Sequence, residues 1–178
     1  GRYSVPNLLE GIYAELREGV KIRDQLTEQL VIVEGRIQNI IQRYFPEFFD
    51  VFGDWKGKAA LCTLKMFPFP SEIVEITPEQ VLEKWKPFVQ RGVGIKRATQ
   101  LVEAAKKSVG IHVGLILAKR EIAYLIEQYE LFKKQLQELD SELEQLVENI
   151  PGAKQMMDIP GLGAVTVALF FAKVGDLS

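Results

Sequence analysis

One cysteine and one histidine in 178 residues close off several kinds of chemistry at once. Cys62 has no second cysteine to pair with, so no internal disulfide can form, and a reducing, cytoplasmic setting suits the chain. Nor can Cys62 and His112 alone supply the Cys and His ligands of a structural zinc site. Positive charge is not in excess: 22 basic against 24 acidic residues leave a formal net charge of −2. That excludes a uniformly basic nucleic-acid binder and confines any polyanion contact to a local patch. No apolar run approaches the roughly 20 residues a membrane span needs, and no signal peptide opens the chain. No stretch alternates apolar and polar residues over a useful strand length, so the fold class expected is all-α. What is abundant is apolar surface, 47% of residues, enough for a folded core.

That apolar surface is ordered. Ile111, Leu115, Ala118, Ile122, Leu125, Tyr129, Phe132, Leu136, Leu139, Leu143, Leu146 and Ile150 follow one another by steps of four and three without a slip. Such an a/d seam predicts a coiled-coil helix over 111–150, about 60 Å long at roughly 1.5 Å per residue. An apolar stripe of that length needs a partner. Leu115, Ile122, Leu125, Tyr129, Phe132, Leu136, Leu139, Leu143 and Leu146 are accordingly the expected oligomerisation residues. A second rod over 1–50 offers an alternative partner within the chain. Its helix runs from about Leu8, after Asn7 as N-cap, to Tyr44, where Pro46 ends it. Ile12, Leu16, Leu26, Leu30, Val33, Ile37, Ile40 and Tyr44 share one register, with Gly19 and Arg23 as weak positions. Whether the rods pair within or between chains is open at this level. Pro6 is expected to keep Val5 extended.

A small helical region fills 51–110. The aromatic run Phe45, Phe48, Phe49, Phe52 and Trp55 leads into it. Lys58 to Phe67 reads as a short buried helix broken by Pro68 and Pro70. Thr77–Pro78–Glu79–Gln80 is a helix start with N-cap, proline at the first helical position and a capping-box glutamine. This helix stops near Pro87. A last segment, 151–178, ends on a strongly apolar run. The absence of an initiator Met and that abrupt close make both ends read as cuts in a longer polypeptide.

Two glycine pairs stand at helix starts. The first is Gly92–Val93–Gly94, followed by Lys96 and Arg97; the second is Gly161–Leu162–Gly163, followed by Thr166. Both have a Gly-hydrophobic-Gly turn that resembles the helix-hairpin-helix motif. Glycines there would allow φ > 0 and expose backbone N–H groups that suit a phosphate oxygen. Gly92, Gly94, Lys96, Arg97, Gly161, Gly163 and Thr166 are therefore the nucleic-acid-binding candidates, although each turn can equally be a plain tight connection. Only the first lies in a basic neighbourhood: from Glu83 to Lys107 seven basic residues face two acidic ones. Glu138, Asp140, Glu142, Glu144 and Glu148 read as a solvated face, and their spacing scatters them around a helix so that they cannot form a metal pair. His112, with no acid or cysteine beside it, reads as structural. No nucleophile–base pair or metal-ligand spacing occurs.

Three stretches in order carry a resemblance. They are Leu8–Leu9–Glu10–Gly11–Ile12–Tyr13–Ala14–Glu15–Leu16–Arg17 leading to Tyr44–Phe45–Pro46–Glu47–Phe48; Phe69–Pro70–Ser71 with the hairpin from Gly92 to Leu101; and Ile159–Pro160–Gly161–Leu162–Gly163–Ala164–Val165–Thr166 running on to Ala172–Lys173–Val174–Gly175–Asp176. Together they resemble the middle of DEDD-type insertion-sequence transposases, the IS-one-ten family, over essentially the whole chain. The resemblance implies an RuvC-like domain before Gly1, holding a divalent metal such as Mg in an acidic tetrad. It implies a transposase domain that begins within 151–178 and carries its nucleophilic serine after Ser178. Neither catalytic set maps onto this chain, so the segment itself is expected to be inactive and to need no cofactor. The implied partners are DNA, a guide RNA and further copies of the chain, with no membrane. The alternative is a coiled-coil scaffold with no nucleic-acid role.

Overall fold

A computed structural model describes residues 4–89 and 93–177. Among these the chain is all-α, with nine helices and no strand. They are α1 Ser4–Tyr44, α2 Phe48–Phe52, α3 Lys58–Met66, α4 Pro70–Ile73, α5 Pro78–Trp85, α6 Ile95–Lys106, α7 Leu115–Glu148, α8 Ala153–Met157 and α9 Ala164–Leu177.

The two long helices arise where the apolar stripes predict them, with shifted starts. α1 begins at Ser4 and runs through Val5 and Pro6, where Pro6 predicts an extended Val5. A proline in the first helical turn has no intrahelical N–H to lose, so it does not stop the helix there. α7 begins at Leu115, four residues late, because Gly114 adopts φ +73° and cannot belong to a right-handed helix. α9 begins at Ala164, so Ala164, Val165 and Thr166 form its first turn instead of the preceding loop. α2, α4 and α8 are short helices of four or five residues that periodicity does not reveal.

The chain forms two compact units, one of residues Gly1–Val31 with Glu130–Ser178, the other of residues Ile32–Tyr129. α1 and α7 each contribute to both. In the first unit Leu16 of α1, Leu143 and Val147 of α7, and Val167, Ala168 and Ala172 of α9 share one core, closed by Ile150 and Ala153. Here α1 and α7 run antiparallel: Gly19 sits against Leu143, and Arg23 Nε donates to Asp140 Oδ1 at 2.9 Å. These are the two weak seam positions of α1. At Gly19 an added Cβ would lie 2.6 Å from Leu143 Cδ2, so the missing side chain is the space Leu143 occupies. Arg23 interrupts the apolar stripe to pair with a carboxylate across the joint.

The second unit is built on aromatics. Phe45, Phe48, Trp55, Phe69 and Trp85 are buried. Phe48 meets Phe52 at a tilt with 4.7 Å between centroids, Phe52 meets Trp85 edge-on at 5.8 Å, and Trp55 meets Tyr129 at 4.8 Å. α3 carries Thr63 fully inside. Its hydroxyl donates to the Ala59 carbonyl at 2.8 Å and accepts from Trp85 Nε1 at 2.9 Å, so both buried polar groups are satisfied. Phe67 leaves the helical region before Pro68, and Pro70 restarts the chain at the first position of α4. α5 opens on a complete capping box: Thr77 accepts from Gln80 N, and Gln80 Oε1 accepts from Thr77 N. α5 packs on α6, which also touches α2 and α4.

Candidate nucleic-acid interface

The two units carry opposite charge. The first has eight basic and thirteen acidic residues, net −5; the second has fourteen and eleven, net +3. A polyanion contact on this acidic chain therefore belongs to the second unit, on elementary electrostatics. α6 buries Ala98, Leu101, Val102 and Ala105 and turns Lys96, Arg97 and Lys106 to solvent. Lys107 follows it, and Lys84 and Lys86 on and after α5 are exposed as well. Lys106 is partly neutralised by Glu103, 3.6 Å away on the same helix. Arg97 lies with its guanidinium carbon 5.9 Å from the Phe52 ring centroid, which orients it without neutralising it.

The first glycine turn differs from expectation. Gly94, the residue before α6, has φ −115° and ψ −177°, ordinary extended backbone open to any side chain. Its Cβ position would meet nothing within 4 Å. The positive-φ nest expected at this turn is therefore not formed by Gly94; Gly92 and Arg91 lie outside the described residues. What remains is a helix start without a side-chain cap and with two cations, Lys96 and Arg97, in its first turn. Those two charges oppose the helix dipole unless an anion accompanies them.

The second turn does contain a left-handed glycine, Gly161 at φ +89°. Gly163 does not share that conformation, and Thr166 is an exposed residue of the first turn of α9. No basic residue lies between Asp158 and Thr166 in the sequence, and the turn belongs to the acidic unit. The two turns thus divide the expected properties between them, basic charge at one and positive φ at the other.

Of the nine residues assigned to oligomerisation, Ile122, Leu125, Tyr129 and Leu143 are buried within this single chain. Leu143 shares a core with Leu16, so α1 supplies that part of the partner stripe from inside the molecule. Leu115, Phe132, Leu136, Leu139 and Leu146 are half-buried. Among the apolar residues that face solvent is a group at the entry to α7: Val113, Ile116 and Leu117 are 75%, 87% and 76% exposed. Sequence periodicity misses them because they fall off the seam.

This entry is held from behind by a group that sequence reasoning passed over. Glu47 accepts from the Ser108 hydroxyl at 2.6 Å and from Val109 N at 2.9 Å, and Ile111 N donates to the Arg43 carbonyl at 3.0 Å. Burial works to raise the Glu47 pKa, but the hydrogen bonds from Ser108 and Val109 outweigh it and leave the carboxyl below its ordinary value. The only sequence signal was a lone acid just after Pro46.

His112 is exposed. In the acidic run, Asp140 pairs with Arg23 and Glu138 lies 3.8 Å from Lys134. Among the described residues no three His, Cys, Asp or Glu side chains stand close enough to hold a metal, so no metal step is assigned to them. Cys62 is a buried free thiol, its pKa pushed up by that burial. No helix of the described residues is long and apolar enough to cross a membrane. The chain matches no protein-family model, no curated protein and no solved structure.

Proposed function

We propose that this chain is a central, non-catalytic stretch of a DEDD-type insertion-sequence transposase, acting in the cytoplasm. It holds the backbone of DNA or of a guide RNA on its basic unit and associates with further copies of itself. The observation that carries the reading is the segregation of charge. A chain of net −2 keeps a unit of net +3, with Lys84, Lys86, Lys96, Arg97 and Lys107 all exposed on or beside α5 and α6. Contacts of this kind position a phosphate backbone without reading sequence. The order of the three family-like stretches supports the choice of transposase over other nucleic-acid binders. Strand cleavage and the Mg-dependent chemistry belong to an RuvC-like domain and a serine outside these residues.

Retention of a labelled duplex and of a structured RNA, followed across salt, tests the reading. The unaltered chain should bind both at low salt and lose them steeply as salt rises. Lys96→Glu combined with Arg97→Glu should weaken binding to every sequence alike and reduce the salt slope by about two. Unchanged retention would remove α6 from the account. A scaffold without a nucleic-acid role is the second reading, favoured by the exposed Val113, Ile116 and Leu117, which suit a protein partner. On that reading no duplex or RNA shifts at low salt.

A further inference from the structure

Among the described residues of the second unit, two cavities share Lys58, the first residue of α3. One, of about 310 Å³, is walled by Leu61, Cys62, Met66 and Phe88, with Lys58 and Lys65 among its lining residues. The other, of about 370 Å³, is more polar and brings Lys58 and Arg97 together beside Phe52 and Asp54. Asp54 Oδ1 accepts from Lys56 N at 2.6 Å, and its carboxylate leaves this compartment with two cations against one anion. The first volume reaches the lower end of small-molecule sites, about 300 Å³. Phe88 is 51% exposed, so part of its side chain is open to a ligand from solvent.

An apolar slot with an aromatic wall, adjoining a compartment with two cations, matches a ligand that is flat and apolar at one end and anionic at the other. Bases within a duplex have their faces covered by their neighbours, so a ring such as Phe88 can stack only on a base that is splayed out. The two sulfurs of the slot, Cys62 Sγ and Met66 Sδ, lie 3.8 Å apart and are polarisable partners for a π-face. We infer that this pair of cavities holds one unpaired nucleotide, its base stacked on Phe88 over Cys62 and Met66 and its phosphate between Lys58 and Arg97. The inference rests on the nucleic-acid reading above and deepens it: the basic unit takes a strand that has left its helix, besides duplex backbone.

A single-stranded oligonucleotide carrying 2-aminopurine, made as DNA and as RNA, tests this beside a duplex of the same sequence. With the unaltered chain the 2-aminopurine fluorescence should be quenched on binding. Phe88→Ala should abolish the quench and weaken single-strand binding about 5- to 150-fold, the usual worth of one stacked base, while leaving duplex binding unchanged. Phe88→Trp should restore both, and Met66→Glu, at a half-exposed position, should repeat the loss without altering the helical signal. Single strands bound equally well by the Phe88→Ala chain, with the quench intact, would overturn the inference and leave duplex holding in place. Failure of the unaltered chain to bind any of the three probes would remove the nucleic-acid reading itself and the nucleotide site with it.

Discussion

The two units solve the same problem, burying a helix stripe, with different materials. The first packs Leu16, Leu143, Val147, Ile150, Val167 and small alanines, almost all aliphatic. The second packs Phe45, Phe48, Trp55, Phe69 and Trp85, and needs a buried threonine to satisfy its indole. Aliphatic helix faces interdigitate by spacing alone, so one stripe can be read from sequence and its partner inferred. Aromatic cores between short helices depend on ring orientation and on partners far apart in sequence. Charge divides along the same line, net −5 against net +3. The regular unit is the acidic one, and the irregular unit holds the excess of basic residues.

The strongest way to break this comparison is Leu143→Ala. Leu143 is 1% exposed and fills the notch at Gly19. Removing it should cost about 2–5 kcal/mol through lost transfer energy and the cavity left behind. Thermal melts give the magnitude, and amide hydrogen exchange gives the place. Faster exchange should concentrate in residues 10–31 and 130–174. Equal acceleration throughout Ile32–Tyr129 would mean that the two units unfold as one and that the division describes compactness without independence.

How much of this was legible follows from the same contrast. The helical class, both long helices and the Thr77–Gln80 cap could be read because each is local: periodicity, a proline, a side chain reaching three residues. The pairing of α1 with α7 was half legible. Gly19 and Arg23 stood out as faults in a stripe, and only their partners Leu143 and Asp140 turn the faults into a joint. Sequence spacing could not assign the α7 seam to one chain or two, since a stripe does not name what covers it. The candidate site was legible as charge, not as conformation. Lys96 and Arg97 are exposed as expected, but Gly94 takes the extended backbone usual for the residue before a helix, where the glycine pair suggested positive φ. Phe88 and Glu47 gave no periodic signal at all, because each acts across a gap in sequence.

A second test sharpens the aromatic side of the comparison. Thr63→Val keeps the shape of the side chain but strands the Trp85 indole N–H in a core where that ring is 1% exposed. An unsatisfied buried donor should cost about 1–3 kcal/mol. Thr63→Ser retains the hydroxyl and should recover most of that loss. The readout is the denaturant midpoint of unfolding. A Thr63→Val protein as stable as the parent would mean that the hydrogen bond contributes nothing net and that ring packing alone holds the second unit.

The smallest effect separates the two glycine turns. Gly161, in the first unit, has φ +89°, a region that costs an L-residue roughly 1–2 kcal/mol, so Gly161→Ala should lower stability by about that much. Gly94, in the second, sits in extended backbone with open space at its Cβ position, so Gly94→Ala should move stability by no more than about 0.5 kcal/mol. Paired melts of the two variants check the difference directly. If Gly94→Ala is as costly as Gly161→Ala, the backbone at the start of α6 is under a constraint like that at the start of α9, and the two turns are one motif after all. If it is neutral, Gly94 is dispensable to folding, and any loss of nucleic-acid retention in that variant reports on the approach of the phosphate backbone to the helix start.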